Sequence, residues 1–155
     1  MISTGAVSTL AGSAGLSGST DGMGSFARFY SPQGIITDGT NLYEADKQNN
    51  TVRKILISTG EVITLAGSAG LTGSTDGMGA AARFVWTTGI TTDGTSLYVT
   101  DVDPNYGWHT SFRKIAISNG MTATLPSINF YIAPGITTDG INLYVLDFEA
   151  VARIQ

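Results

Sequence analysis

Three aspartates stand at the same point of three related segments in this chain of 155 residues, each three positions after a Leu-Tyr pair: Asp46, Asp101 and Asp147. Repeated carboxylates that a symmetric fold gathers on one face could form a ring and hold a shared ion or ligand. The same oxygens could instead accept hydrogen bonds from amides of neighbouring loops. We treat the three aspartates as candidates for such a shared site, with the loop-amide role as the alternative.

The segment that begins at Asp101 suggests a second kind of site. Asp101, Asp103 and Asn105 have the alternate spacing of ligands in a calcium-binding loop. Gly107 comes one position later than such a loop requires, and Phe112 stands where the closing glutamate belongs. These residues are therefore a weak calcium candidate, and no other metal or cofactor is predicted.

The same segment has no counterpart in the other related segments, and it continues into Tyr106, Trp108 and His109. Loops that depart from a regular scaffold are where binding residues tend to lie. Aromatic rings with polar edges can stack on a sugar or a peptide. We therefore expect a peptide or carbohydrate ligand, with packing against a neighbouring element or a dimer seam as the alternative. The ligand-binding candidates are Asp101, Asp103, Asn105, Tyr106, Trp108 and His109.

Catalysis has little support in the sequence, so we predict a non-catalytic protein. His109 is the only histidine, which excludes a multi-histidine metal site within one chain. No serine occupies a recognisable nucleophile turn. Gly22–Ala27 matches a dinucleotide-binding pattern, but it lies in a Ser/Gly-rich segment rather than between a strand and a helix, so structural turns explain it.

The charge and hydropathy of the sequence limit the classes of binding partner that we expect. The net charge is −4 and no cluster of Lys or Arg stands out, so we expect no nucleic-acid partner. No apolar run approaches the roughly 20 residues of a membrane span, and no signal-peptide pattern is visible, so no membrane partner is expected. Cysteine is absent, which leaves the redox compartment open. The cellular location stays unknown.

Internal repetition is the strongest signal in the sequence. The run Val7–Leu16 returns almost unchanged as Val62–Leu71, at a constant offset of 55 residues that also relates Gly5 to Gly60. A second block occurs three times and ends each time in Asp-Gly before a Leu-Tyr pair. Its copies are Gly34–Gly39, Gly89–Gly94 and Gly135–Gly140.

Each repeat is predicted to form four antiparallel strands. Asp38-Gly39 favours a tight hairpin, and alternating apolar residues surround it. The pairs Arg53-Lys54 and Arg113-Lys114 are expected to cover a solvated face. Repeats of this size with four strands are typical of β-propeller blades, so the predicted class is all-β. The predicted strands of the first blade are Gly34–Thr37, Asn41–Ala45, Thr51–Ile57 and Glu61–Ala66.

The ordered motifs resemble the NHL repeat over nearly the whole chain. The segments that carry the resemblance are Thr9–Ser13, Asp21–Phe29, Gly34–Asp38, Asn41–Asp46 and Val52–Ile55. The resemblance implies a β-propeller, usually six-bladed, that serves as a binding or scaffolding surface. With blades arranged as in that family, the channel-ring candidates Asp46, Asp101 and Asp147 are expected to form a ring near one face of the central channel. Some related propellers are hydrolases or lyases with a metal in the central channel, so a propeller enzyme is the alternative function. The chain departs from the family in having only three repeats.

The two ends of the chain fit the repeat and each other. On the repeat alignment Ile154 falls on Ile55, and both Gln155 and Met1 fall on Leu56. We divide the single unit 1–155 into repeats at about 1–55, 56–115 and 116–155, with strand 6–11 completing the last blade of a partner chain. Two chains would then close a six-bladed ring as a homodimer, and three would close a larger homotrimer. A fragment of a longer gene is the other explanation.

Overall fold

The computed structural model describes residues 4–126, 130–147 and 149–155. Antiparallel strands account for its regular structure, with single 3-10 turns between them. The first group is β1 (Gly22–Met23), β2 (Pro32–Thr37), β3 (Asn41–Asp46), β4 (Thr51–Leu56) and β5 (Glu61–Gly67). The second is β6 (Gly77–Met78), β7 (Thr87–Thr92), β8 (Ser96–Asp103), β9 (His109–Ala116) and β10 (Met121–Thr124). The last is β11 (Phe130–Tyr131), β12 (Ile136–Thr138), β13 (Leu143–Leu146) and β14 (Val151–Ile154).

The strands form three successive meanders. The first blade is β2-β3-β4-β5, with the short β1 added beyond β5. The second is β7-β8-β9-β10, with β6 beyond β10 and β11 paired to an extension of β9. The third is β12-β13-β14. The predicted four-stranded unit is confirmed in the first two blades, whereas the third sheet has three strands within the described residues.

The hairpin between the first two strands of each blade is held by one aspartate. Asp38 Oδ1 accepts hydrogen bonds from the backbone N–H groups of Thr40 and Asn41, and Tyr43 donates its hydroxyl to Asp38 Oδ2 at 2.8 Å. These hydrogen bonds hold the pKa of Asp38 well below its usual range, and burial beside that carboxylate raises the pKa of Tyr43 to about 12. Asp93–Tyr98 and Asp139–Tyr144 repeat the arrangement, which confirms the predicted turns.

The blades pack face to face. Tyr43, Val52 and Ala66 of the first blade share a buried core with Leu97 and Ile115 of the second. A second core, between the second and third blades, contains Phe112, Phe130, Ala133 and Val145. Alternate residues of each strand point to opposite faces, so every blade needs a neighbour on both sides to bury its apolar residues.

The first strands of neighbouring blades come closest. A Cβ built on Gly34 would lie 2.5 Å from the carbonyl oxygen of Thr88, and one on Gly89 would lie 2.5 Å from that of Pro134. Only glycine allows this approach. The strands β2, β7 and β12 therefore form the inner edge of the stack, as the first strands of propeller blades do.

Among the described residues, two blade faces have no neighbouring blade. The leading face of the first blade contains Ile35, Leu42, Glu44 and Ile55, which lie opposite the side that meets the second blade. The trailing face of the third blade contains Tyr144, Leu146, Val151 and Arg153. Leu146 and Val151 are 51% and 69% exposed, although their repeat counterparts Ala45 and Val52 are fully buried.

Residues 4–11, which we call the leading segment, precede the first blade and pair with no strand among the described residues. Residues 4–10 are exposed and include no strand, so strand 6–11 of the sequence prediction does not form within one chain. Its pairing with a partner chain stays a prediction. Within the described residues, no helix has the length and apolar character needed to cross a membrane.

Candidate functional site

The repeated aspartates of the first two blades form buried ion pairs. In the first blade, Arg53 donates to Asp46 at 2.8 Å and to Asp21 at 2.7 Å. Asp46 also accepts hydrogen bonds from the backbone N–H of Tyr30 and the side chain of Asn49. Asp46 and Arg53 are both fully buried. The hydrogen bond from Tyr30 is the loop-amide role considered for this aspartate.

The second blade repeats the network. Arg113 donates to Asp101 at 3.3 Å and to Asp76 at 2.9 Å. Asp101 Oδ1 accepts hydrogen bonds from the backbone N–H groups of Val85 and Trp86. Burial raises the pKa of Asp101 to about 6, although these N–H groups and Arg113 oppose the shift. The network ties a preceding loop and the outer strand to the blade, since Asp76 also accepts the N–H of Thr124.

The third blade departs from this arrangement. Ala152 occupies the position that Arg53 and Arg113 hold in the other blades. Asp147 follows β13, and its backbone N–H donates to the carbonyl of Ala150. The structure therefore places the three channel-ring candidates in two different settings, with Asp46 and Asp101 in the blade interior.

One sequence prediction about these strands is wrong. Arg53 and Arg113 were expected on a solvated face, yet both side chains are fully buried. Their neighbours Lys54 and Lys114 are half-buried and exposed, respectively. Adjacent residues of a strand point to opposite faces, so one member of each pair had to face the side that carries the acidic groups. That alternation was the available signal.

The unrepeated segment extends the second blade at one end. It lengthens β8 and β9, so that Asp103 pairs with His109 and Tyr131 of β11 also pairs with His109. Asp103 accepts the backbone N–H of Asn105 at the start of a 3-10 turn. Gly107 and Trp108 both have positive φ, of 71° and 65°, which reverses the chain into β9.

This reversal brings both tryptophans of the chain together. The rings of Trp86 and Trp108 lie 5.6 Å apart with an interplanar angle of 57°. The ammonium group of Lys47 lies 4.4 Å above the Trp86 ring. We call Lys47, Trp86 and Trp108 the tryptophan site. Lys47 comes from the first blade, and the tryptophans come from two loops of the second, so two blades build it.

Further aromatic groups lie beside the tryptophan site along the chain. His109 and Tyr131 have ring centroids 5.6 Å apart, and Tyr106 is strongly exposed. The backbone carbonyl of Trp108 accepts the N–H of Ile132, which ties the loop to the residue that follows β11. The structure thus places Trp108 beside a partner that sequence reasoning missed. Trp86 occupies the repeat position of Ser31, and that substitution was its only signal.

The calcium site suggested for Asp101, Asp103 and Asn105 stays a prediction. Asp101 is buried against Arg113, and Asp103 binds a backbone N–H of its own turn. Across residues 4–126, 130–147 and 149–155, no group of three or more His, Cys, Asp or Glu side chains is placed to hold a metal ion.

Comparison with known proteins supports the fold and little else. Neither protein-family profiles nor curated protein sequences give a match. A protein of unknown function from Bacteroides thetaiotaomicron is similar in structure, with a TM-score of 0.61 and 24% identity over 73% of this chain and 32% of its own. An auxiliary nutrient binding protein of the same bacterium gives 0.63 and 15% over 80% and 37%. A nidogen/laminin complex gives 0.59 and 18% over 77% and 40%.

These identities carry information about the fold alone. The chain spans 32% to 40% of the length of these three structures, so each contains considerably more than this chain does. The common part is the succession of antiparallel blades described above. The chain is an all-β protein with a β-propeller-like fold.

Proposed function

We propose that this protein is a non-catalytic β-propeller of the NHL type that closes as a ring of two chains and binds a carbohydrate at its tryptophan site. The tryptophan site is the observation that carries the binding proposal. One of its two rings, Trp108, lies on an insertion that has no counterpart in the other repeats. The motif order resembles the NHL repeat, and the propeller-like neighbours are compatible with it.

The chemistry of the tryptophan site suits a sugar. Sugar rings present apolar C–H faces that stack on indole, and their hydroxyl groups accept or donate hydrogen bonds at the rim. Trp108 is 43% exposed and Tyr131 is 56% exposed. Lys47 and His109 supply polar groups beside the rings. One similar structure is described as an auxiliary nutrient binding protein, which fits a binding role for this fold.

The path of the leading segment supports ring closure. A Cβ on Gly60 would lie 2.5 Å from the carbonyl oxygen of Leu10, and one on Gly120 would approach that of Leu65 even more closely. Leu10 and Leu65 are repeat counterparts. The end of the leading segment thus sits against the first blade as the end of β5 sits against the second.

The third blade has room for the strand that this path implies. A cavity of about 390 Å³ between the second and third blades is lined by Leu125, Leu143 and Ile154, among others. In the first blade the counterpart of Ile154 is Ile55, which pairs with Val62 of the outer strand. Val62 is 1% exposed, whereas its counterpart in the leading segment, Val7, is 96% exposed. Residues 6–11 of a second copy would cover the cavity and the edge of β14.

The ring proposal predicts the mass of the protein in solution. We expect light scattering to give twice the 16.1 kDa of one chain, because the proposed two-fold ring contains two chains. Three times that mass would indicate the homotrimer. A stable species of 16.1 kDa at all concentrations would refute ring closure while leaving the carbohydrate proposal intact.

Carbohydrate binding is directly measurable because both tryptophans of the chain belong to the site. We expect titration with a panel of neutral oligosaccharides to shift tryptophan emission to saturation for at least one sugar. Trp108→Ala should weaken that binding by about tenfold, the effect of losing one ring contact. Phe26→Ala removes an exposed ring in another loop and serves as the control with unchanged affinity. Emission that responds only to peptides, or unchanged binding by Trp108→Ala, would overturn the proposal.

A further inference from the structure

Glu44 is an acidic residue in an apolar setting. It lies on the leading face and is 4% exposed, and neither carboxyl oxygen has a hydrogen-bond partner among the described residues. The repeat counterparts of Glu44 are Val99 and Val145, both buried in the cores between blades. A buried carboxyl without a partner costs free energy that a valine at the same position would not.

The surroundings of Glu44 within the chain do not supply a partner. A cavity of about 290 Å³ borders it and is otherwise lined by apolar groups and Thr9, including Phe29, Leu42 and Ile55. Arg53 lies opposite Glu44 in the neighbouring strand, but its terminal nitrogens donate to Asp46 and Asp21. One cation therefore faces three acidic groups.

The protonation of Glu44 reflects this setting. Burial, together with the nearby charge of Asp46, raises the pKa of Glu44 to about 9, although Arg53 opposes the shift. In the single chain the carboxyl group therefore keeps its proton at neutral pH. A second cation brought against the leading face would restore the charged form.

The trailing face of the third blade carries such a cation. Arg153 pairs with Tyr144 in the β13–β14 ladder and shares a face with Leu146 and Val151. Ala152 stands where the first two blades have the arginine of their buried networks. In a closed ring the trailing face of one copy packs on the leading face of the other, because blades succeed one another in one direction.

We propose that Arg153 of one copy pairs with Glu44 of the other across the seam of the ring. This inference rests on the two-chain ring proposed above. Apolar contact is supplied by Leu146 and Val151 against Leu42 and Ile55. The two-fold ring contains the pair twice, so one substitution removes both pairs. The fold-change in the dimer dissociation constant is then the square of the fold-change per seam.

The test is a set of charge variants measured by sedimentation over a concentration series at neutral pH. We expect Arg153→Glu and Glu44→Arg each to weaken the dimer by at least about 30-fold per seam, the usual result of leaving one buried charge unpaired. The double variant Glu44→Arg/Arg153→Glu should recover most of that loss. Far-ultraviolet circular dichroism checks that each chain is folded.

A neutral pair of variants separates charge pairing from simple packing. Glu44→Val installs the residue that the second blade has at this position. If the residues pair, Glu44→Val alone weakens the dimer and Glu44→Val/Arg153→Met restores it. If Glu44 is only a packing residue, Glu44→Val alone strengthens the dimer and Arg153→Met has no effect, which refutes the pairing while the ring stands. A monomeric wild-type chain would instead refute the ring itself.

Discussion

Replacing Arg113 with methionine is expected to lower the free energy of unfolding by about 3–5 kcal/mol, because it leaves the buried carboxylate of Asp101 without its cation. The Arg113 side chain is fully buried and donates to Asp101, Asp76 and the carbonyl of Arg83. Methionine fills much of the space but offers no donor. Urea denaturation at pH 8 measures the loss, which should be large against a total stability of about 5–15 kcal/mol.

A second substitution tests whether charge is the cause. Both backbone N–H groups that bind Asp101 donate to Oδ1, whereas Oδ2 faces Arg113. Asp101→Asn can keep the Oδ1 hydrogen bonds without the charge. The double variant Arg113→Met/Asp101→Asn should therefore be more stable than Arg113→Met alone. If the double variant is less stable by the sum of the two single losses, the destabilisation comes from lost packing instead.

The pH dependence of the loss gives an independent check. The pKa of Asp101 is raised to about 6 in the folded chain from an ordinary value of 3.8, so folded protein binds the proton more tightly than unfolded protein. Its contribution to stability is present below pH 3.8 and is lost as pH rises through 6. Without Arg113 the pKa of Asp101 rises further, so the variant should go on losing stability up to a higher pH than the wild type. The difference between variant and wild type should grow between pH 5 and pH 8.

Local signals explain why the blade strands could be predicted. The predicted strand Asn41–Ala45 is observed as Asn41–Asp46, and Glu61–Ala66 is observed as Glu61–Gly67. Asp38 holds its hairpin through residues at most five positions away, so the information lies within one short segment. The inner-strand glycines Gly34 and Gly89 are visible in the sequence as repeated residues. Their close contact with the next blade, which is why only glycine fits there, is not.

The candidate functional site could not be predicted in the same way, because it is built by residues that are far apart in the sequence. Arg53 meets Asp21, 32 positions away, and the tryptophan site joins Lys47 to residues of the next blade. Neither pairing follows from spacing, because both depend on how a loop crosses a blade. The prediction of a solvated face for Arg53 and Arg113 was wrong because it placed both basic residues of each pair on one face, although adjacent strand residues point to opposite faces. Tyr106, Trp108 and His109 were identifiable only because the segment had no repeat counterpart.

Placing an aspartate at Val7 is expected to convert the proposed ring to monomers. The counterpart Val62 is almost fully buried beside Ile55, so Val7 should be buried beside Ile154 of the second copy. Replacing a buried valine loses about 1.5–3 kcal/mol of apolar burial per copy. Burying an aspartate there adds the cost of desolvating an unpaired carboxylate. Both costs apply twice in a two-fold ring, which is enough to abolish assembly at micromolar concentrations.

The adjacent residue provides the matched control. Ser8 is the counterpart of Ile63, which remains 45% exposed in the first blade, so Ser8→Asp adds the same charge on the open side of the same strand. In the single chain both residues lie in the exposed leading segment, and neither substitution should alter the fold of the monomer. Light scattering should therefore give one chain mass for Val7→Asp and two for Ser8→Asp. Equal masses for both variants would show that the leading segment does not enter a second copy as a strand with this register.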